Sequence, residues 1–285
     1  MLVDLVTVTT PDGISLTGAY FAPERRDDGL IADALIYLHG DGSHFYAPLY
    51  MELGQGFAER GLAFLAANRR GHDMVARGAP GGDLKGYAYE SVEEAPVDYA
   101  SWLGLLRERG HRRIAIGGHS GGAVRAVYSQ AKERFDDVAA VVSVSPGEYH
   151  HETVTGLHGK QFTNLYQEAE KHLEEGRPDA YLRTGVPWDG MWTARSYVDH
   201  FNADNRYSVT AHAANTGCPT LFVFGSEECS VGGEQELPVC GAAMRRLRAA
   251  EHPHTTVQVV DGANHGYRGR ETELLETILT WLQKL

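Results

Sequence analysis

The 285-residue sequence is short of cysteine, of positive charge and of long apolar runs, and each shortage removes a class of function. Three cysteines, Cys218, Cys229 and Cys240, cannot all pair within one chain, and no spacing among them makes the C-x-x-C pair of a zinc site. Reduced thiols are expected, with a Cys229–Cys240 bridge left open. Lys and Arg number 26 against 38 Asp and Glu, a net charge of −12 that repels nucleic acid and anionic membrane surfaces, so neither partner is expected. No stretch approaches the roughly 20 apolar residues of a membrane span. The first twenty residues also lack a basic segment followed by an unbroken apolar block, and a soluble, cytoplasmic protein is expected. Missing too are a G-x-G-x-x-G after the first parallel-type strand and a G-x-x-x-x-G-K-[ST] loop, which removes support for dinucleotides and nucleotide triphosphates. The adjacent His150 and His151 have no carboxylate spacing to complete a metal site. No cofactor and no metal ion are expected; the expected partner is a small-molecule substrate, and a homo-oligomer is compatible with the sequence.

What is present suffices for a sizeable core: 42% of residues are apolar, enough for one large domain or one domain with an insertion. Residues 2–8 (LVDLVTV), a Pro11-Asp12-Gly13 turn and residues 14–21 (ISLTGAYF) read as an antiparallel hairpin. Six short apolar runs follow, at 34–39, 62–67, 113–118, 138–145, 219–225 and 256–262, with the unbroken hydrophobicity of strands buried on both faces. Helical patterns at 47–60, 93–109, 121–133, 241–251 and 271–284 alternate with them. Together these predict an α/β fold: an eight-stranded, mostly parallel sheet with helices on both faces. The interval 147–217 is far longer than a crossover and carries helix-like patterns near 160–175 and 190–202. It predicts a helical cap inserted into a core made of 1–146 and 218–285.

The stretch IAIGGHSGGAVRAV, residues 114–127, starts as a buried strand and ends as an amphipathic helix, with Ser120 on the turn between them. A strand that reverses so sharply into a helix strains its central residue and needs small neighbours two positions away, which Gly118 and Gly122 supply. The alternative is a tight glycine turn whose serine only caps the helix. A serine hydroxyl is a poor nucleophile without a base. The segment DGANHGY, residues 261–267, offers His265 in a loop between the last strand and the last helix, where an imidazole can reach the same edge of the sheet. The segment GSEEC, residues 225–229, leaves the preceding strand and offers Glu227 and Glu228 as the acid that would hold the histidine. The N–H of Gly121, directly after the serine at a helix start, can serve a developing oxyanion.

On these segments the chain resembles the α/β-hydrolase superfamily over nearly its whole length. The resemblance places Glu228 at the acid position, with Glu where Asp is more usual; Glu148, after the run VVSVSPG, and Glu227 are its competitors. The order Ser120, Glu228, His265 agrees with the family's order. The segment LHGDGS, residues 38–43, resembles the family's oxyanion loop and implies the N–H of Asp41 as second donor, with His39 structural. NRRGHD, residues 68–73, resembles a family segment read here as a loop brace. His119, beside Ser120, and Trp188 and Trp192, from a cap cluster of Tyr181, Trp188, Trp192, Tyr197, Phe201 and Tyr207, are assigned to the substrate side. That cluster either lines an apolar or aromatic acyl pocket or forms the cap's own core. The implied function is hydrolysis of a carboxylic ester, lactone or related acyl bond through an acyl-enzyme. The same residues would also serve thioester, amide, carbamate or carbon-carbon bond hydrolysis or acyl transfer, and a sensor without turnover is the rival from another class.

Overall fold

The computed structural model describes residues 3–77 and 80–285. Leu2, which opens the strand expected over 2–8, lies outside the described residues. The chain starts with an antiparallel hairpin, β1 (Asp4–Thr9) and β2 (Ser15–Phe21). The Thr10 hydroxyl closes the turn by accepting the N–H of Ile14 at 2.9 Å. Strands and helices then alternate: β3 (Ala34–Leu38), α1 (Pro48–Glu59), β4 (Ala63–Ala67), α2 (Ala95–Glu108), β5 (Ile114–His119), α3 (Gly121–Glu133) and β6 (Val138–Val144). A long excursion intervenes, built from α4 (His151–Glu174), β7 (Tyr181–Thr184), β8 (Gly190–Thr193), α5 (Ala194–His200) and α6 (Val209–Ala213). The chain then rejoins the sheet as β9 (Thr220–Gly225), α7 (Pro238–Ala250), β10 (Thr255–Val260) and α8 (Glu271–Gln283).

The main sheet has eight strands in the order β1-β2-β4-β3-β5-β6-β9-β10. The pairs β1/β2 and β2/β4 are antiparallel, and every pair from β4 to β10 is parallel. This is the α/β architecture expected from the alternating apolar runs. Period-2 alternation sorts each strand's side chains between two cores. Leu35 and Tyr37 pack with Phe57 of α1 and Ile278 of α8, while Ile36 and Leu38 pack with Trp102 of α2 and Val124 of α3.

That topology fixes where a ligand can sit. From β3 the chain moves outward to β4, then crosses back to β5 on the other side of β3, so consecutive connections leave in opposite directions at this point. In open α/β sheets the crevice beyond the C-terminal strand ends at such a reversal is where ligands bind. Leu38 at the end of β3 pairs with Gly118 in β5, so the loops that follow both strands open on that crevice.

The excursion departs from its expected outline in two places. The first helix begins at His151, where 160–175 was expected; Gly156 and Gly159 mask its first turns, and Gly159 interrupts the helix with φ 54°. The expected helix over 190–202 is split, because Gly190–Thr193 pairs with Tyr181–Thr184 as a hairpin and the helix begins only at Ala194, capped by the Thr193 hydroxyl. Among the described residues no helix is long and apolar enough to cross a membrane. Cys218, Cys229 and Cys240 are free.

Candidate active site

Ser120 occupies a backbone conformation that L-residues rarely adopt, φ 55° and ψ −121°, between β5 and α3. The flanking glycines permit the reversal. A Cβ on Gly118 would lie 2.5 Å from the Gly122 carbonyl carbon, and one on Gly122 would lie 2.4 Å from the Leu38 oxygen. Strain of this kind persists only where the surroundings hold it; here the Ser120 N–H donates to the Val144 oxygen at 2.8 Å.

The loop after β10 carries His265 to the same rim. Its Nε2 lies 3.0 Å from Ser120 Oγ and its Nδ1 2.6 Å from Glu228 Oε2. The neutral ring can therefore donate from Nδ1 to the carboxylate and accept the serine proton at Nε2. Glu228 is fully buried, and its Oε1 accepts the Ser145 hydroxyl at 2.5 Å and the Gly225 N–H at 2.7 Å. Burial pushes the Glu228 carboxyl up, but the bonds from His265, Ser145 and Gly225 outweigh it and hold the group below its usual range. The two competitors lie elsewhere. Glu227 is exposed, and buried Glu148 accepts from Thr210 and faces Arg246 at 3.5 Å.

Because the native pKa of Glu228 is depressed, the stability it contributes is present in full above the ordinary value of 4.5 and is lost as pH falls through the depressed one. Urea midpoints of the wild type and Glu228→Gln should therefore differ at neutral pH and converge on acidification below 4.5. A gap of constant size across the titration contradicts this assignment.

Gly121 opens α3, so its N–H belongs to the first turn, whose donors have no partner within the helix. Gly40 brings the β3 loop against the elbow: a Cβ there would lie 3.1 Å from Ser120 Cβ. Next to it, the Asp41 carboxylate accepts from Arg69 at 2.8 Å, Arg125 at 3.3 Å and the Tyr149 hydroxyl at 3.0 Å. Burial raises the Asp41 pKa, and the two guanidinium groups more than reverse it. In the NRRGHD segment Arg69 also pairs with Glu90, while Arg70 pairs with buried Asp98 at 2.8 Å and with Asp12 and Glu94. His39 bonds the Gly40 carbonyl and contacts the Arg69 backbone.

Two residues assigned to the substrate side are placed differently. His119 does not line the cavity at Ser120: its Nε2 donates to the His265 carbonyl at 2.7 Å, while its Nδ1 accepts from the Tyr50 hydroxyl at 3.2 Å. Burial and the neighbouring His265 ring lower its pKa to about 3, so it is a neutral brace under the histidine loop. His119→Ala should lower kcat about 10-fold to 10²-fold through misplacement of His265, with little change in KM; steady-state kinetics with an unaltered kcat would remove this role. Trp192 is fully buried among Tyr87, Tyr197 and Phe201, in the excursion's aromatic core. Trp192→Ala should cost about 3–5 kcal/mol in urea unfolding. Trp188→Ala should act mainly on KM, since Trp188 is only half-buried and does line the cavity.

That cavity, of about 210 Å³, opens on Ser120 and His265. Tyr87, Tyr149 and Trp188 supply aromatic wall, Met74, Leu237 and Val239 aliphatic wall, and Asp41 and Asp189 the carboxylates. Sequence reasoning missed Tyr87, Tyr149, Arg125 and Glu90. Only Arg125 carried a signal, as a charged residue set between Ala123-Val124 and Ala126-Val127 in the helix. Among the described residues one group of three metal-capable side chains occurs, Glu228, Cys240 and His265, with ligand atoms within 4.8 Å of one another. Its histidine and glutamate are already bonded to each other. A larger surface hollow of about 910 Å³ is lined by charged residues such as Glu24, Arg25 and Asp27 and contains neither Ser120 nor His265.

Solved structures with the same fold cover essentially the whole chain. The alpha/beta hydrolase GrgF from Penicillium sp. sh18 superposes with a TM-score of 0.71 at 16% identity, covering 100% of this chain and 99% of its own. Est1E from Butyrivibrio proteoclasticus, with ferulic acid bound, gives 0.65 at 16% identity and 98% coverage of both chains. A thermostable carboxyl esterase from Bacillus coagulans, in complex with glycerol, gives 0.68 at 14% identity, covering 100% of this chain and 99% of its own. Among curated proteins none matches this chain. The model of the alpha/beta hydrolase family matches residues 35–275, from β3 into α8, and so takes in both sides of the strand reversal. The chain belongs to the alpha/beta hydrolase family.

Proposed function

We propose that the protein is a serine hydrolase that cleaves a carboxylic ester, lactone or related acyl bond of a small aromatic or apolar substrate. The observation that carries this reading is the continuous hydrogen-bonded line from Ser120 Oγ through His265 to Glu228, at 3.0 and 2.6 Å. Ser120 attacks the carbonyl carbon as its proton passes to His265 Nε2, and Glu228 holds the ring and balances the imidazolium. The N–H groups of Gly121 and Asp41 receive the carbonyl oxygen as it becomes negative, where each donor contributes about 10²–10³ in rate. Collapse expels the alcohol with the proton from His265. Water, deprotonated by the same nitrogen, then releases the acid and regenerates the serine.

The cavity's aromatic and aliphatic walls suit a flat or apolar acyl group, and the wall group includes Trp188 from the excursion. We assign 147–217 as a cap on a hydrolase core made of the remaining segments. The carboxyl esterase among the structural neighbours, and Est1E with ferulic acid bound, support an ester as substrate. The test is a fluorophosphonate probe followed by a panel of 4-nitrophenyl esters, thioesters and anilides. Covalent labelling of Ser120 with ester turnover supports the reading; an unlabelled serine leaves the fold as a binding scaffold, and preferred anilide or thioester turnover reassigns the bond.

A further inference from the structure

An oxyanion hole assembled from two chain segments works only if both N–H groups are held to about 0.5 Å of the productive geometry. Here the donors assigned above come from the start of α3 and from the loop after β3, which are far apart in sequence. The Arg125 side chain bonds both segments. Arg125 Nη1 donates to the Gly121 carbonyl at 2.8 Å and to Asp41 Oδ1 at 3.3 Å. Its Nη2 donates to Glu90 at 2.5 Å and to His200 Nε2 at 3.0 Å. The planar guanidinium offers these donors in a fixed fork, so the positions of Glu90 and His200 orient the group that spans Gly121 and Asp41.

The packing leaves no slack at this junction. A Cβ on Gly121 would lie 1.8 Å from Asp41 Oδ1, so the carboxylate rests directly on the backbone beside the nucleophile. Arg125 is buried, its side chain 1% exposed. Burying such a cluster is a poor source of stability, because the desolvation cost of the ions offsets their attraction and apolar side chains of equal volume often do as well. Positioning is the return that apolar side chains could not give.

We propose that Arg125 is the positioning residue of the oxyanion hole: by bonding the Gly121 carbonyl and the Asp41 carboxylate at one nitrogen, it sets the separation of the two N–H donors. The inference rests on the hydrolase reading above. It is tested with Arg125→Lys, Arg125→Met and the charge-balanced pair Arg125→Met/Glu90→Gln. The last carries the test if the lone methionine, which leaves two buried carboxylates with one arginine, does not fold.

Each folded variant is assayed with 4-nitrophenyl butyrate, and with a trifluoromethyl ketone that forms a tetrahedral adduct beside its methyl ketone isostere that does not. Loss of alignment should lower kcat about 10²-fold with KM changed far less. Affinity for the trifluoromethyl ketone should fall by a similar factor while the methyl ketone binds as before. Lysine, a point charge without the fork, should restore the thermal midpoint but not kcat. An unchanged kcat in the folded variants overturns the proposal, as does a lowered kcat with undiminished affinity for the trifluoromethyl ketone. Wild-type protein that resists fluorophosphonate at Ser120 overturns the hydrolase reading and this inference together; labelled wild type with unaffected Arg125 variants overturns this inference alone.

Discussion

Ser120→Ala is expected to lower turnover by about 10⁶-fold while leaving the thermal midpoint nearly unchanged. The hydroxyl bonds His265, and its removal forfeits that part-buried hydrogen bond, a matter of about 1 kcal/mol. Relief of the φ 55° strain is not expected, because alanine meets the same backbone constraint. Chemistry, in contrast, loses its nucleophile entirely under the proposed mechanism. His265→Ala should cost nearly as much, and the double variant no more than either alone, since members of such a unit do not act independently. Losses that multiply would show that His265 is not the base. A Ser120→Ala protein that melts many degrees lower would assign the hydroxyl to structure instead.

Glu228→Gln carries the second large effect, a loss of about 10⁴-fold in kcat by analogy with amide replacement of a triad acid. The amide keeps the shape and can still meet His265 Nδ1, but it presents no charge and favours the wrong tautomer. Its oxygen keeps the two donors that now meet Oε1, the Ser145 hydroxyl and the Gly225 N–H, which turns its nitrogen toward His265 Nδ1 and imposes that tautomer. Glu148→Gln provides the contrast, since its carboxylate is paired with Thr210 and Arg246 and has no contact with His265. Turnover in that variant should stay within a few-fold of wild type, with any cost seen in stability. The reverse ranking in steady-state kinetics would transfer the acid role.

The fold was legible in the sequence because burial on both faces leaves a plain mark: the runs at 34–39, 62–67, 113–118, 138–145 and 219–225 each overlap a buried strand, and 256–262 overlaps the half-buried edge strand β10. The elbow was legible for a related reason, since Gly118 and Gly122 answer a steric demand that few other residues meet. Which carboxylate meets His265 was only partly legible. Glu227 and Glu228 are adjacent, and which one turns inward depends on the Gly225 N–H and Ser145 hydroxyl that receive it. Trp192 and His119 were misplaced because aromatic character marks both a cavity wall and a core, and only tertiary contacts separate them. Arg125, Glu90 and Tyr149 come together from α3, the loop before α2 and the loop after β6, so no local spacing could reveal their meeting.

The bond from Arg125 to His200 has a consequence for redesign. His200 belongs to α5, inside the excursion, so a transplant that exchanged all of 147–217 would strip a partner from the guanidinium beside Gly121, and under the proposed mechanism would blunt turnover before any new substrate was tried. Altering selectivity is better confined to the short turn that bears Trp188 and Asp189, which lines the cavity at Ser120 and leaves α5 in place.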